Sequence, residues 1–234
     1  MIKECIILAG GLGTRLRSAV PDLPKCMAPV VGKPFLHYVI KHFLGQGIEQ
    51  FIFSLGYKHE VIVDYLDKNF PATPIKYVVE NEPLGTGGAI KLACEKASQQ
   101  NILVTNGDTL FRIDARKLAA YHEKQNAACT VCLKPMQDFD RYGVVELNEN
   151  NIITSFREKQ HYKQGLINGG IYALEVDQFM KKDWPEKFSF EKDYLEKYYT
   201  GGGIYGQVQD EYFIDIGIPA DFEKAQVDFE KMKI

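Results

Sequence analysis

The residues best suited to chemistry follow the first apolar run of the chain, Ile6-Ile7-Leu8, which predicts a buried strand. The loop residues that come next are Ala9, Gly10, Gly11, Gly13 and Thr14. Glycine lets the backbone approach a ligand closely and turn its N–H groups inward. Arg15 and Lys25 add cations nearby, and cations beside inward N–H groups favour a polyanion. The loop therefore predicts a polyanion site, and a triphosphate is its natural occupant.

The two common phosphate-binding motifs do not describe this loop. The dinucleotide pattern GxGxxG would begin at Gly11 and Gly13, but its third glycine would fall on Leu16. The pattern GxxxxGK[ST] has no match here. A tight turn without a ligand stays the alternative explanation of these glycines.

Two aspartates are candidate ligands of a divalent cation. Asp108 follows the apolar run Ile102-Leu103-Val104, and Asp215 lies in the segment Tyr212-Phe-Ile-Asp215-Ile-Gly217. Magnesium prefers a few carboxylates together with phosphate oxygens and water. A simple Asx-turn is the alternative for Asp108, and capping of the last helix is the alternative for Asp215.

The elements that position these residues predict an α/β fold. Short apolar runs alternate with amphipathic stretches, and the first half has the character of parallel β-α-β units. The second half is strand-rich and predicts a small antiparallel lobe. Ligands of open α/β sheets bind beyond the carboxyl ends of the strands. The glycine loop, the segment 85–88 and Asp108 all follow predicted strands, so they can meet at one edge of the sheet.

Length and composition narrow the class of protein. The chain has 234 residues, 45% hydrophobic and 25% charged, which fits one globular domain over residues 1–234. A net charge of −3 argues against a nucleic-acid partner. No apolar run approaches the length of a membrane span, and Met1–Cys5 does not resemble a signal peptide, so we expect a cytoplasmic protein without a membrane partner.

Metal or disulfide chemistry at the cysteines is not expected. The five cysteines form an odd set, which argues against a disulfide framework. Cys129 and Cys132 are three residues apart in a predicted strand, so they face opposite sides and cannot share a metal.

The segments LAGGLGTRLR (8–17) and DLPKCMAPVVGKPFL (22–36) resemble the sugar-1-phosphate nucleotidyltransferases, and the resemblance extends over essentially the whole chain. It implies a Rossmann-like, mixed and mainly parallel sheet flanked by helices, with a sugar-binding lobe. It also implies that Asp108 and Asp215 hold Mg²⁺, that Arg15 and Lys25 hold the triphosphate, and that pyrophosphate is a product.

The resemblance implies a sugar-phosphate site in the second half of the chain. Glu158 and Lys159 match a pair that holds the sugar hydroxyls and the sugar phosphate, although Gln160 follows where many members have proline. The residues expected at this site are Gly107, Tyr142, Gly143, Glu158, Lys159, Asn168 and Gly169.

Base selection is expected at Leu8, Ala9, Glu80, Gly85 and Thr86. Uridylyltransferases of the superfamily commonly have Gln at the position of Glu80. A carboxylate can accept hydrogen bonds from both N1–H and N2–H of guanine, whereas uracil offers one donor between two acceptors. Glu80 therefore favours GTP. The resemblance points to D-glycero-α-D-manno-heptose 1-phosphate as the acceptor, in bacterial surface polysaccharide synthesis.

Several alternatives stay open. A mannose 1-phosphate guanylyltransferase or a hexose 1-phosphate uridylyltransferase would use the same machinery. A sensor of nucleotide sugars would have the same fold but would be expected to have lost Arg15, Lys25, Asp108 or Asp215. Asp138-Phe-Asp140 matches the DxD motif of many glycosyltransferases. The sequence does not determine the oligomeric state, and a homodimer is one option.

Overall fold

A mixed sheet forms the centre of the fold in the computed structural model, which describes residues 1–11, 16 and 20–233. The strands in chain order are β1 (Glu4–Ala9), β2 (Pro29–Val30), β3 (Lys33–Pro34), β4 (Gln50–Leu55), β5 (Ile75–Val79), β6 (Asn101–Asn106), β7 (Thr109–Phe111), β8 (Cys129–Phe139), β9 (Val145–Leu147), β10 (Ile153–Phe156), β11 (Tyr162–Glu175), β12 (Ile204–Val208) and β13 (Phe213–Asp215). Within the described chain, seven of them form the main sheet in the order β12-β8-β11-β6-β1-β4-β5.

Most neighbouring strands of this sheet run parallel. β6, β1, β4 and β5 are parallel to one another, and β12 is parallel to β8. β11 is antiparallel to both β6 and β8. The expected mixed, mainly parallel sheet is therefore confirmed.

The helices are α1 (Phe35–Gly45), α2 (His59–Asn69), α3 (Gly85–Cys94), α4 (Ala115–Gln125), α5 (Val176–Met180), α6 (Glu196–Tyr198) and α7 (Pro219–Met232). A π-helical turn spans Phe190–Leu195, and 3-10 turns span Lys25–Met27 and Tyr199–Gly201. Asp114 caps α4 as its position predicts, because its Oδ1 accepts the backbone N–H of Lys117 at 3.0 Å.

The sheet carries an apolar core on each face. Phe51 and Phe53 pack in one core and Ile52 in the other, as alternation along a strand requires. Cys132 lies in the first core and Cys129 in the second, so the prediction that they face opposite sides is confirmed. Both thiols are buried, and burial raises the pKa of each.

The expected antiparallel lobe lies where β8 and β11 extend beyond the main sheet. β9 and β10 pair with each other as a two-stranded ribbon beside them. Phe139, Val144 and Ile167 form a small core of their own there. This lobe stands next to the end of β6, since Asn106 at that end lines one cavity together with Tyr142 and Gly143.

The carboxyl ends of the parallel strands are level with one another. Ala9 pairs with Leu55, and Leu55 pairs with Val79. On the other side of β1, Leu8 pairs with Asn106. The loops after β1, β5 and β6 therefore leave the sheet at the same edge, which brings Gly10, Glu80 and Asp108 to one place.

Within residues 1–11, 16 and 20–233, none of the helices combines the length and the hydrophobicity that crossing a bilayer requires.

The turn between β2 and β3 contains a strained residue. Val31 has a φ of 46° and Gly32 a φ of 77°, the two positive values that a type I′ turn requires. A β-branched residue rarely adopts this conformation, whereas asparagine does so readily. The backbone N–H of Val31 donates to Oε1 of Gln226 at 2.9 Å, which ties the turn to α7.

We expect Val31→Asn to stabilise the protein by about 1 kcal/mol, because it removes the strain of a β-branched residue at positive φ. Urea unfolding followed by circular dichroism measures the change in the free energy of unfolding. Val208→Asn is the matched control, since Val208 is a half-exposed valine at the end of a regular strand and should gain nothing. Equal effects of the two substitutions would contradict the strain at Val31.

Candidate active site

Three segments that are remote in sequence bring Lys25, Asp108 and Asp215 together. Lys25 begins the 3-10 turn after the glycine loop. Asp108 directly precedes β7, and Asp215 ends β13. β7 and β13 pair, with Thr109 opposite Asp215, and the backbone N–H of Ile216 donates to the Asp108 carbonyl at 3.1 Å. This ribbon holds the two aspartates side by side.

The ammonium group of Lys25 lies between the two carboxylates. Its Nζ donates to Oδ2 of Asp108 and, at 3.3 Å, to Oδ1 of Asp215. The Lys25 side chain is 13% exposed, and the aspartates are 30% and 24% exposed. Burial by itself lowers the pKa of Lys25, but the charges of Asp108 and Asp215 outweigh it, so the pKa lies above its usual value. Lys25 is therefore fully charged at neutral pH.

The same two carboxylates fit a divalent cation. Their oxygens converge on one positively charged atom and keep partial access to solvent. Magnesium prefers such a small set of carboxylates, completed by phosphate oxygens and water. In the described part of the chain, no group of three or more His, Cys, Asp or Glu residues could hold a metal by itself. The donor set suits a metal that arrives with a phosphate-bearing substrate.

A cleft of about 390 Å³ opens at this point. Its lining includes the predicted residues Leu8, Gly10, Gly11, Lys25, Glu80, Gly85, Thr86, Asp108 and Asp215. Asn106, Pro83, Ala89 and Thr109 also line it and were not predicted. Ala9 lies beside the cleft with its side chain in the core. The predictions at Gly13, Thr14 and Arg15 lie outside the described residues. This cleft is called the nucleotide cleft below.

Glu80 is held firmly in the nucleotide cleft. Its Oε1 accepts the hydroxyl of Ser54 at 3.0 Å, and its Oε2 accepts the backbone N–H of Leu84 at 3.1 Å. A Cβ on Gly10 would come within 2.5 Å of Oε1, so a larger residue there would shift the carboxylate from this position. Ser54 is fully buried in β4, and its hydroxyl interrupts the apolar run Phe51–Leu55. The sequence marks this serine as unusual but does not indicate its partner.

The glycines at the start of α3 serve packing as well as ligand access. Gly85 has a φ of 73°, and a Cβ there would lie 2.5 Å from the Phe188 carbonyl. That carbonyl accepts the backbone N–H of Gly87 at 3.0 Å. The segment around Phe188 therefore satisfies donors at the start of α3 that a purely ligand-binding loop would leave free.

A second cleft of about 470 Å³ lies between the antiparallel lobe and the π-helical turn. Its lining includes the predicted residues Tyr142, Gly143, Glu158, Lys159 and Asn168. Asn106 lines both clefts, so the two are adjacent. Burial and, after it, the charge of Asp215 raise the pKa of Tyr142 to about 12, so this phenol stays protonated. This second cleft is called the lobe cleft below.

Two predicted glycines lie beside the clefts rather than in their lining. A Cβ on Gly169 would lie 2.5 Å from Cδ1 of Phe111, so this residue packs against the core. Its neighbour Gly170 lines the lobe cleft instead, with a φ of 71°, where the register of β11 shifts. The backbone N–H of Gly107 donates to the Leu8 carbonyl at 2.9 Å, which joins the ends of β1 and β6.

A hydrogen-bond chain that the sequence did not reveal connects the two clefts through Glu191. Its Oε2 accepts the hydroxyls of Thr86 at 2.7 Å and Ser189 at 3.0 Å. Its Oε1 accepts the hydroxyl of Tyr172 at 3.4 Å, and that hydroxyl accepts Nδ2 of Asn168 at 3.0 Å. Thr86 lines the nucleotide cleft, and Asn168 lines the lobe cleft. Arg157, Lys192 and Glu196 also line the lobe cleft and were not predicted.

The DxD pair lies in neither of these clefts. Asp138 falls within β8 with a φ of 47°, and Asp140 directly follows the strand. Both line a smaller cavity of about 280 Å³ that shares Tyr142 and Asp215 with the two clefts.

Two adjoining clefts at the carboxyl edge of a mainly parallel sheet, with Lys25 and two aspartates at one of them, define an α/β protein built for phosphate-bearing substrates. The Nucleotidyl transferase family profile matches residues 4–232, and the chain belongs to this family.

Named relatives agree with this assignment. The chain is 49% identical to D-glycero-alpha-D-manno-heptose 1-phosphate guanylyltransferase of Aneurinibacillus thermoaerophilus, over 97% of this chain and 98% of the relative. It is 47% identical to the protein of the same name from Campylobacter jejuni, over 94% and 96% of the two chains. The crystal structure of HddC from Yersinia pseudotuberculosis complexed with GMP-PN matches with a TM-score of 0.88 and 38% identity, covering 97% of this chain and 100% of that one.

We expect Glu191→Gln to lower the free energy of unfolding by about 1–2 kcal/mol, because one carboxylate accepts from three hydroxyls and an amide has a single acceptor oxygen. Urea unfolding measures the loss. Glu196→Gln is the matched control on the exposed side of the same region, and we expect it to stay within about 0.5 kcal/mol of the parent. Equal losses of unfolding free energy in both variants would show that the hydrogen bonds of Glu191 do not stabilise the connection between the clefts.

Proposed function

We propose that this protein transfers GMP from GTP to a sugar 1-phosphate, D-glycero-α-D-manno-heptose 1-phosphate, giving GDP-heptose and pyrophosphate. The observation that carries the proposal is the cluster of Lys25, Asp108 and Asp215 in a cleft that shares Asn106 with a second cleft. Such an arrangement suits a reaction that joins two phosphate-bearing substrates. The names of the two guanylyltransferase relatives described above support the choice of base and sugar.

The chemistry requires positioning rather than proton removal. An oxygen of the sugar phosphate attacks the α-phosphorus of GTP, the new P–O bond forms, and the bond to pyrophosphate breaks with its electron pair leaving on pyrophosphate. The nucleophile is already an anion, so no general base is needed. The protein has to bring two polyanions together and stabilise charge as it moves.

Asp108 and Asp215 would hold Mg²⁺ in this reaction. When bound, the metal neutralises phosphate charge and orients the phosphate oxygens. Lys25 balances the aspartates in this structure, and its full positive charge suits it to the triphosphate. Arg15 is proposed to act with Lys25 on the phosphates.

The lobe cleft is proposed as the sugar-phosphate site. Lys159 would bind the sugar phosphate and Glu158 the sugar hydroxyls, since both side chains are exposed and line this cleft. The other proposed sugar-phosphate residues are Gly107, Tyr142, Gly143, Asn168 and Gly169. The backbone around Leu8, Ala9, Gly10, Gly11, Gly13 and Thr14, together with Glu80, Gly85 and Thr86, is proposed for the nucleotide.

Glu80 is proposed to read the guanine base. Ser54 and the N–H of Leu84 hold its two oxygens in place, and each oxygen keeps a further lone pair for a ligand. A fixed carboxylate can accept N1–H and N2–H of guanine together. Because the group is already positioned, little conformational entropy is lost when the base binds.

We further propose that residues 1–234 form one nucleotidyltransferase domain that acts in the cytoplasm. Its product would enter bacterial surface polysaccharide synthesis. Pairing of two chains into a homodimer is a further prediction.

The first test is pyrophosphate release with Mg²⁺ from each of GTP, UTP, CTP, dTTP and ATP, against D-glycero-α-D-manno-heptose 1-phosphate and mannose 1-phosphate. We expect release with GTP and the heptose phosphate.

Lys25→Gln should reduce the rate by about 10²–10³-fold, because it removes charge stabilisation at the phosphates. Lys68→Gln, an exposed lysine of α2, is the control and should keep the parent rate. Release with another pair would overturn the specificity, and no release with any pair would favour a sensor.

A second test concerns base selection. We expect Glu80→Gln to reduce the preference for GTP over UTP by about tenfold or more, because the variant loses one acceptor for guanine and gains an amide that suits uracil. The ratio of kcat/KM for the two nucleotides measures this preference. Glu95→Gln, at an exposed position after α3, should leave the ratio unchanged. An unchanged ratio in Glu80→Gln would exclude Glu80 from base selection.

A further inference from the structure

A separate pocket of about 410 Å³ lies between α1 and β7. Its lining residues are Val31, Lys33, His37, Tyr38, Lys41, His42, Leu110 and Arg112. Thr109 lines the nucleotide cleft, while the next residue of β7, Leu110, lines this pocket. Consecutive strand residues point to opposite faces, so the pocket lies behind the β7–β13 ribbon that carries the aspartates. It is called the rear pocket below.

The rear pocket has an uncompensated positive charge. Lys33, Lys41 and Arg112 are exposed, and none of them forms an ion pair with another residue that the structure describes. Their described polar contacts go to neutral groups: Nζ of Lys33 lies 3.5 Å from Nε2 of His37, and a guanidinium nitrogen of Arg112 lies 4.0 Å from Sδ of Met232. Three cations around one cavity repel one another until an anion enters.

Two histidines line the rear pocket, and burial together with the nearby cations lowers the pKa of each. Burial and, after it, Lys33 and Lys41 lower the pKa of His37. Burial and then Arg112 lower the pKa of His42 to about 4. Both rings are therefore neutral at neutral pH. Nε2 of His42 is buried and has no hydrogen-bond partner within the described chain. An unpaired buried polar atom is costly, and a bound ligand is one source of a partner for it.

The rest of the pocket wall is apolar, and the pocket is large enough for more than a simple ion. Tyr38 and Leu110 are buried, and Val31 is 42% exposed at the rim, where its turn is strained. Strained backbone persists where the surroundings enforce it, often at ligand sites. A cavity of a few hundred Å³ with apolar walls and a few charged groups is typical of a small-molecule site.

We propose that the rear pocket is a second, non-catalytic anion site that binds the pyrophosphate group of a phosphorylated ligand. Three cations suit a group with several negative charges better than a single carboxylate. Inorganic pyrophosphate and a nucleoside diphosphate share this group, and the apolar wall offers a surface for the organic part of the latter. The proposal does not depend on which sugar or base the enzyme uses.

The test follows the ring C–H signals of His37 and His42 by NMR at constant pH while pyrophosphate or GDP is added, with His37→Gln and His42→Gln to assign them. We expect both signals to shift and to saturate. The dissociation constant should rise about tenfold or more in the triple variant Lys33→Gln/Lys41→Gln/Arg112→Gln, because charge-assisted contacts are lost. His122, buried between Thr130 and Asn101, is the internal reference and should not shift.

The controls separate this pocket from the nucleotide cleft. Lys124→Gln, an exposed lysine of α4 outside the rear pocket, should bind as the parent does. The triple variant should still release pyrophosphate in the activity assay, which shows that it folds. If the histidine signals shift with pyrophosphate but not with GDP, the ligand is inorganic pyrophosphate. If they shift with GDP but not with pyrophosphate, the ligand is a nucleotide. No shift with either probe, or equal shifts in the parent and the triple variant, would overturn the proposal.

Discussion

The pairing of one lysine with two aspartates is the interaction on which this site depends. Asp108 and Asp215 are held side by side by the β7–β13 ribbon, and two adjacent carboxylates repel each other. Lys25 supplies the compensating positive charge from the 3-10 turn between β1 and β2. Because the ammonium is largely buried, its attraction to the carboxylates is screened less than that of a surface pair. This edge of the sheet is therefore assembled around the ion pairs of Lys25 with the two aspartates.

Around this cluster, hydrogen bonds between residues of different segments hold the side chains of the two clefts in place. Ser54 and Leu84 hold Glu80, and Glu191 gathers hydroxyls from both clefts. Buried polar groups that are fully paired restrict the conformations of the site. In the proposed reaction, this preorganisation would lower the cost of aligning two substrates, because their partners are in place before binding.

The distribution of charge separates the two sides of the β7–β13 ribbon. The nucleotide cleft combines Lys25 with three acidic residues, Glu80, Asp108 and Asp215, so acidic side chains outnumber basic ones among its described lining residues. The rear pocket is lined by cations without described acidic partners and can take an anion directly. A protein with a net charge of −3 thus concentrates positive charge in one cavity away from the aspartates. Net charge alone conceals such a feature.

The sequence by itself determined the class of fold and most of the residues that line the nucleotide cleft. Hydrophobic periodicity located the long strands and helices, and glycines and aspartates after strands marked one edge of the sheet, because parallel strands end together. Short elements such as β7 and β13 were missed, since three residues carry no readable period. Only the tertiary structure joined Lys25 to both aspartates, Ser54 to Glu80 and Thr86 to Glu191. These contacts link residues far apart in the chain, and local patterns contain no information about distance in space.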